Sequence, residues 1–399
     1  MISFQKAYHF IQQHLQDYGV EEIPFSKAEN RILAESIYAD RDFPPFNRST
    51  RDGIAISSKA IGAGLNTFRI AGMAPAGSPQ LELENENDCI EIMTGAIVPR
   101  NADTVVMYEH LEKGEDTFQI VQEAKSGQNI HYQASDIPKG GELLKPGVRI
   151  TASEVGVIAS VGKVEVSVKS NPNIAVVSTG DELVDVEKTP LPFQIRKSNS
   201  YSLKSLLREE NIEADLYHLV DDPSILEQKI KQLIHEYDVL LLSGGVSKGK
   251  YDFLPEIFDK LGVETVFHRV LQRPGKPFWF GKHEGQKTLL FAFPGNPVST
   301  FVNYHVHFKP WLNKTLGVDT LRFTVFVKHS IENTTDLTLF IGVTISFENS
   351  SLWAEEVQTT GSGDVAGLTK IDGFIQLNPE SKVEKGVQLP FIPTRLLMR

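Results

Sequence analysis

NIAVVSTGDEL (173–183) opens as a continuous apolar run and closes on a glycine turn followed by two acids. The same design recurs in DVLLLSGGVS (238–247) and in TLLFAFPGNPVS (288–299). Between the first two runs, helical patterns cover 199–210 and 223–236. The second has Asp222 at the N-cap and Pro223 in the first turn. Ile225, Leu226, Ile230, Leu233 and Ile234 form its buried stripe. Apolar strands alternating with amphipathic helices predict a doubly wound parallel sheet, covered on both faces, over 171–315. Such sheets bind ligands beyond the carboxyl ends of their strands, where the three polar loops fall.

Outside this module the pattern changes. Phe4, Ala7, Phe10, Ile11 and Leu15 predict a helix over 3–17, and a second helix is expected over 26–40. Pro44 and Pro45 break that pattern and lead into a polar loop ending at Gly53. From 54 to 139, short alternating runs such as TFRIAG, DCIEIMTG and DTVVMYEHL predict an all-β module. A helix is expected at 152–160. After Leu316, runs such as RFTVFVKH and LTLFIGVTISF predict a β-barrel or sandwich of about 80 residues. The expected fold class is therefore multi-domain α/β plus β. Residues 1–46 with 140–170 form a helical and β linker domain, 47–139 an inserted β domain, 171–315 the α/β domain, and 316–399 a C-terminal β-barrel.

The chain has 399 residues, with 40 Lys+Arg against 51 Asp+Glu and a net charge of −11. An acidic chain repels a polyphosphate backbone, which argues against nucleic-acid binding. The single cysteine, Cys89, excludes an intramolecular disulfide framework and any Cys-rich metal centre. Its apolar strand context suggests an inert thiol. No apolar run approaches the roughly 18 residues that span a bilayer, and the N-terminus lacks a signal-peptide core. No membrane partner is expected, and a cytoplasmic location is.

Ser178-Thr179-Gly180-Asp181-Glu182, Ser243-Gly244-Gly245-Val246-Ser247 and Pro294-Gly295-Asn296-Pro297 supply glycines that bring backbone amides close to an anion. Pro297 fits the first position of a helix whose N-terminus attracts phosphate. Arg273-Pro274-Gly275-Lys276-Pro277 adds two cations on a rigid turn. One glycine turn is simply how such a fold reverses direction. Three together with RPGKP point to a phosphorylated small molecule. The spacing Gly244, Gly249, Lys250 approaches a P-loop, but Tyr251 stands where Ser or Thr must hold magnesium. Asp52, Asp136, Asp181, Glu182, Asp222 and Asp252 lie in loops. Any one suits a turn or cap; as a group they suggest a magnesium bridge to substrate phosphates. His305 and His307, two apart on a helix, read as core or surface histidines.

Taken in order, PPFNRSTRDGIAI (44–56), MTGAIVPRNADTVVMYE (93–109), SDIPKGGELLKPG (135–147), STGDEL (178–183), SGGVSKGKYDF (243–253), RPGKP (273–277), FPGNPVS (293–299) and GSGDVAGL (361–368) resemble the molybdenum insertase family. This is the molybdopterin molybdenumtransferase family, to which the C-terminal domain of gephyrin is related. The resemblance implies an elongated homodimer of four-domain subunits. It implies a reaction in which adenylylated molybdopterin and molybdate yield AMP and the molybdenum cofactor, with Mg²⁺ assisting. Transient contact with the adenylyltransferase and with molybdoenzymes is implied as well.

Carried onto this chain, the resemblance implies Asp52, Asp136, Glu182, Asp222, Asp252 and Lys276 as catalytic residues. Asp181, Glu182 and Asp252 would serve the metal. Thr94, Ser178, Thr179, Gly180, Asp181, Gly244, Gly245, Val246, Ser247, Arg273, Pro274, Gly275, Pro294, Gly295, Asn296 and Pro297 would bind substrate. Asp52 and Thr94 would reach across the dimer interface. Lys276, Arg273, Ser hydroxyls and helix amides suit tetrahedral molybdate, and the pterin itself supplies the sulfurs.

The chain departs from the family in four places. Arg51 precedes Asp52, Lys248-Gly249-Lys250 replaces an acidic phrase, Arg273 stands where Lys is frequent, and Ile341 stands where Arg is frequent. Adenylyl transfer and a gephyrin-like scaffold with weakened catalysis remain as alternatives, as does tungstate in place of molybdate.

Overall fold

The computed structural model describes residues 1–247 and 252–396. Its central sheet has six strands in the order Ala214–Leu219, Ile174–Thr179, Val239–Ser243, Thr288–Phe293, Trp279–His283 and Glu264–His268. The first four run parallel, as the apolar runs predict. Trp279–His283 runs antiparallel to both of its neighbours, so the sheet is mixed rather than wholly parallel. The reason is loop length. Trp279–His283 reaches Thr288–Phe293 through a short turn, and a parallel crossover needs a dozen or more residues.

Alternation along the strands builds two cores. Ile174, Val176, Val239, Leu241, Leu289 and Phe291 face Leu203 and Leu207 of helix Asn199–Glu209. Ala175, Val177, Leu240, Leu242 and Leu290 face Leu226, Ile230, Leu233 and Ile234 of helix Pro223–Glu236. The parallel register sets Ser178 beside Ser243, and Ser243 beside Phe293. Three loops therefore leave the sheet at one level.

The N-terminal helix is Phe4–Gln12, shorter than expected, with Ser3 capping it through Lys6 N. Its Phe4, Ala7 and Ile11 pack into the first central core, beside Trp311 and Phe340. The helix expected over 26–40 does not form. Only a short 3-10 turn, Phe25–Lys27, and strand Ile37–Tyr38 occur there. Asn30 takes a positive φ of 64°, and Ile32 and Leu33 bridge to Arg149 and Val168. Tertiary pairing overrides the helical spacing of these apolar residues. Leu33, Ile37, Ile150, Ile158 and Val166 form a separate small core under helix Ala152–Ser160, whose N-terminus carries a Thr151–Glu154 capping box.

The all-β reading of 54–139 holds for a six-stranded sheet built from segments between Gly53 and Ile120, but a short helix, Ser58–Gly62, which the reading did not expect, lies between two of its strands. The C-terminal strands Phe323–Val327, Thr338–Glu348, Ser351–Glu356, Gly373–Leu377 and Gln388–Pro393 close into a barrel, because Thr338–Glu348 pairs with both Ser351–Glu356 and Gly373–Leu377. Strand Val270–Arg273 joins its edge in parallel, with Gln272 opposite Thr338 and Arg273 opposite Leu339. A segment from the central module is thereby pinned to the barrel. Among the described residues no helix is long and apolar enough to cross a membrane.

Candidate active site

The three loops enclose a cavity of about 460 Å³. Ser178, Thr179, Gly180, Glu182, Gly244, Gly245, Val246, Ser247, Asp252, Pro294, Gly295, Asn296 and Pro297 all line it. Gly244 has a φ of 101°, and a Cβ there would lie 2.7 Å from Thr179 O. No other residue fits that position without moving backbone. The Thr179 hydroxyl is buried beneath this loop with no hydrogen-bond partner among the described residues. Asn199 ties the loops together: its Nδ2 donates to Ser243 Oγ at 2.7 Å and to Gly295 O at 2.7 Å. Ser198, Asn199 and Ser200 line the cavity at the start of helix Asn199–Glu209, whose N-cap side chain makes no capping bond.

Acids gather at one side. Asp181 Oδ1 accepts from Asp221 N at 3.0 Å. Burial pushes the Asp221 carboxyl above the usual range, and the charges of Asp181, Glu182 and Asp252 push it further. Among the described residues no three His, Cys, Asp or Glu side chains form a group able to hold a metal ion. Arg196 and Lys197 supply positive charge to the same cavity, with Lys197 Nζ 2.6 Å from Asp185 Oδ1.

A second cavity, of about 530 Å³, lies between the central module and the barrel. Arg273, Pro274, Gly275 and Lys276 form one wall. Leu339, Phe340, Ile341, Glu356, Thr359 and Ser362 stand on the barrel side. Pro294 and Asn296 line both cavities, so the two share a wall. Asn296 Nδ2 donates to Ser362 Oγ at 2.8 Å, and Val298 N to Ser362 O at 3.1 Å, which locks the barrel loop onto that wall.

Five expected residues, Asp52, Thr94, Asp136, Asp181 and Asp222, line neither cavity of the chain. Asp222 Oδ1 accepts from Ser224 N and Ile225 N, both at 2.9 Å, and so caps a helix. Asp221, its neighbour, faces the cavity instead. Asp52 and Thr94 meet each other, with Thr94 N donating to Asp52 Oδ1 at 2.5 Å, which holds that carboxyl below the usual range. Asp136 Oδ1 lies 2.8 Å from His131 Nε2, while Arg48 donates to His131 Nδ1 at 3.1 Å. The departures at Lys248 and Lys250, and the P-loop comparison that uses Gly249 and Tyr251, lie outside the described residues. Ile341 lines the second cavity.

Sequence reasoning missed Asp221, Arg196, Lys197, Asn199 and Ser362. The paired acids Asp221-Asp222 were a signal that one could cap while the other stays available. The polar run Arg196-Lys197-Ser198-Asn199 at a helix start was another. His305 and His307 are buried, as the core reading expects. Cys89 is a buried free thiol whose pKa is pushed up to about 12, chiefly by burial.

Two family descriptions match the chain. "MoeA N-terminal region (domain I and II)" covers residues 2–162, and "Probable molybdopterin binding domain" covers residues 175–314. The molybdopterin molybdenumtransferase of a Synechocystis strain is 35% identical over 396 residues, spanning 98% of this chain and 99% of its own. That of a Staphylococcus epidermidis strain is 35% identical over 314 residues, spanning 77% of this chain and 74% of its own. A crystal structure of a Pyrococcus molybdopterin biosynthesis moeA protein superposes with a TM-score of 0.80 at 27% identity, covering 99% of both chains. A second, from Pyrococcus horikoshii OT3, superposes with a TM-score of 0.83 at 24% identity, over 98% of this chain and 100% of that one, and shares the fold. With the order of motifs, the two joined cavities and a match along nearly the whole chain, this protein belongs to the molybdopterin molybdenumtransferase family.

Proposed function

We propose that this chain serves molybdenum cofactor biosynthesis by transferring molybdenum from molybdate to adenylylated molybdopterin, with cleavage of the pyrophosphate link and release of AMP. The observation that supports this most is the shared wall of Pro294 and Asn296, which sets a loop-lined anion cavity beside a cavity with two cations. The first cavity takes the phosphates and pterin. Its amides, Ser178 and Ser243 supply donors, Asn199 holds the loops in place, and the glycines admit the substrate to the backbone. The second takes the tetrahedral dianion between Lys276 and Arg273. An oxygen of water or molybdate forms the new bond to phosphorus as the bridging P–O bond breaks, and AMP leaves. The dithiolene sulfurs of the pterin receive the metal.

Asp181, Glu182, Asp221 and Asp252 suit magnesium. The Asp221 carboxyl is raised chiefly by burial and further by the charges of Asp181, Glu182 and Asp252, and a divalent cation would relieve that repulsion. With too few protein ligands for a closed cage, phosphate oxygens and water would complete its shell. When bound, Mg²⁺ neutralises pyrophosphate charge as a Lewis acid.

The proposal extends to assembly. Asp52, Thr94 and Asp136 lie in neither cavity of one chain, so a role for them requires a second copy to complete the site. Separate cores within 47–139, within 316–399 and within 1–46 with 140–170 support the division into these parts and 171–315, while the α/β core also takes in the first helix and Phe340, Ile371 and Phe374 of the C-terminal part. The lone buried thiol of Cys89 fits a reducing cytoplasm.

The test incubates the purified chain with adenylylated molybdopterin, Mg²⁺ and molybdate, and quantifies AMP and protein-bound molybdenum. Both products should form, and Asp252→Ala should abolish them. Pterin binding with neither product would contradict the enzymatic reading and favour a scaffold.

A further inference from the structure

Beneath the cationic turn lies a group of polar side chains that the chemistry above does not use. Gln272, Asn303 and His307 each have 0% of their surface exposed. They sit among aromatic residues, with the Phe278 and Phe4 rings 4.8 and 5.2 Å from that of His307. Apolar side chains would fill such a place at lower desolvation cost, so a buried polar group here calls for a reason.

The hydrogen bonds all point one way. His307 Nε2 donates to Gln272 Oε1 at 2.7 Å. Gln272 Nε2 donates to Asn303 Oδ1 at 2.9 Å and to Pro274 O at 3.1 Å. Asn303 Nδ2 reaches Gly275 O at 3.4 Å. An amide oxygen only accepts, so the His307 proton is fixed on Nε2. Burial drives the His307 pKa down to about 3, which keeps the ring neutral. Gly275 has a φ of 93°, and a Cβ there would come within 2.8 Å of both Gln272 Nε2 and Asn303 Nδ2. The network is thus seated directly against the turn. His307 itself belongs to a π-helical turn, Tyr304–Phe308, inserted between helices Pro297–Asn303 and Lys309–Thr315. Such turns are frequent at functional sites.

We propose that Gln272, Asn303 and His307 are positioning residues: they hold the Pro274 and Gly275 carbonyls from below and so aim Arg273 and Lys276 at the oxyanion. The inference rests on the reading of that cavity as the molybdate site. None of the three needs to touch the anion. Their effect is confined to the cationic turn, because the loops of the phosphate cavity are tied together separately through Asn199.

The test measures molybdate binding by calorimetry with no pterin present, and then the KM for each substrate in AMP release. The variants are Gln272→Met, His307→Leu and His307→Gln, each with its thermal midpoint recorded. Gln272→Met nearly conserves volume and guards against a result that reflects misfolding alone. We expect Gln272→Met and His307→Leu to weaken molybdate binding and raise its KM by about tenfold or more, with the KM for adenylylated molybdopterin within about twofold of wild type. His307→Gln, which keeps a donor for Gln272 Oε1, should recover most of the loss. Folded Gln272→Met with wild-type molybdate affinity, or equal changes for both substrates, would overturn the proposal. A wild-type chain that neither binds nor consumes molybdate sinks the functional reading, and this inference with it. A wild-type chain that does both, beside variants that match it, sinks the network alone.

Discussion

The two cavities share a wall but are built differently. Each loop of the phosphate cavity directly follows its own strand, and the parallel register alone brings Ser178, Ser243 and Phe293 level. The cationic cavity is assembled from distant pieces. Strand Val270–Arg273 leaves the central module, pairs with Thr338–Glu348, and only then does Ile341 stand across from Lys276. A site made by local punctuation is robust to change elsewhere. A site made by strand exchange depends on everything that holds the exchanged strand.

The sharpest way to break this comparison is to remove one charge from each side. Lys276→Ala should cut molybdenum transfer by about 10²-fold or more, through molybdate, while leaving binding of the pterin nucleotide intact. Glu182→Ala should act on the nucleotide side instead. Steady-state kinetics with each substrate varied in turn would show this division. If both variants impair both substrates alike, the cavities do not divide the work. Gly244→Ala comes next. Its Cβ meets Thr179 O and its φ is 101°, so it should cost about 1–3 kcal/mol in urea unfolding and raise the KM for the nucleotide. A variant as stable as wild type would mean the loop has another conformation open to it.

Smaller effects sharpen the assignment of acids. Asp222→Ala should lose about 1 kcal/mol of stability as a helix cap, while Asp222→Asn, which keeps the cap, should retain both stability and turnover. A large loss of turnover in Asp222→Asn would restore it as a functional acid. Asp221 titrates with the opposite sign to a salt-bridged acid. Its folded carboxyl sits above the usual range, so the cost of ionising it is absent below the ordinary carboxylate pKa and appears as pH rises through the folded one. Asp221→Asn should therefore raise the thermal midpoint slightly at neutral pH without Mg²⁺, with the difference vanishing in acid. It should also weaken Mg²⁺ binding. Last, Cys89 should resist alkylation at pH 8 until the chain unfolds, because burial keeps its thiol protonated.

The contrast between cavities is also a contrast in legibility. Apolar runs ending in glycine are local, and they located three of the six strands of the central sheet, while helical spacing located two of the module's helices, to within a few residues. The same kind of local signal misled at 26–40, where Ile32 and Leu33 meet Arg149 and Val168 in sheet rather than each other in a helix. Composition cannot tell Asp221 from Asp222; only the helix start decides which carboxylate is consumed by a cap. Nor does sequence spacing show that strand Val270–Arg273 crosses to the barrel, or that His307 reaches beneath the turn. RPGKP was legible as a cationic turn, but not the apolar wall of Ile341 and Phe340 facing it.

On the proposed function, the oxyanion sits between Arg273 and Lys276, next to but apart from the phosphate loops. Anomalous scattering from crystals of the full chain soaked in tungstate tests it most directly. One strong tungsten peak is expected in the cavity lined by Arg273, Lys276 and Ile341, weakened in Lys276→Ala. A peak among Ser178, Gly244 and Asn296 instead, with the cationic cavity empty, would contradict it.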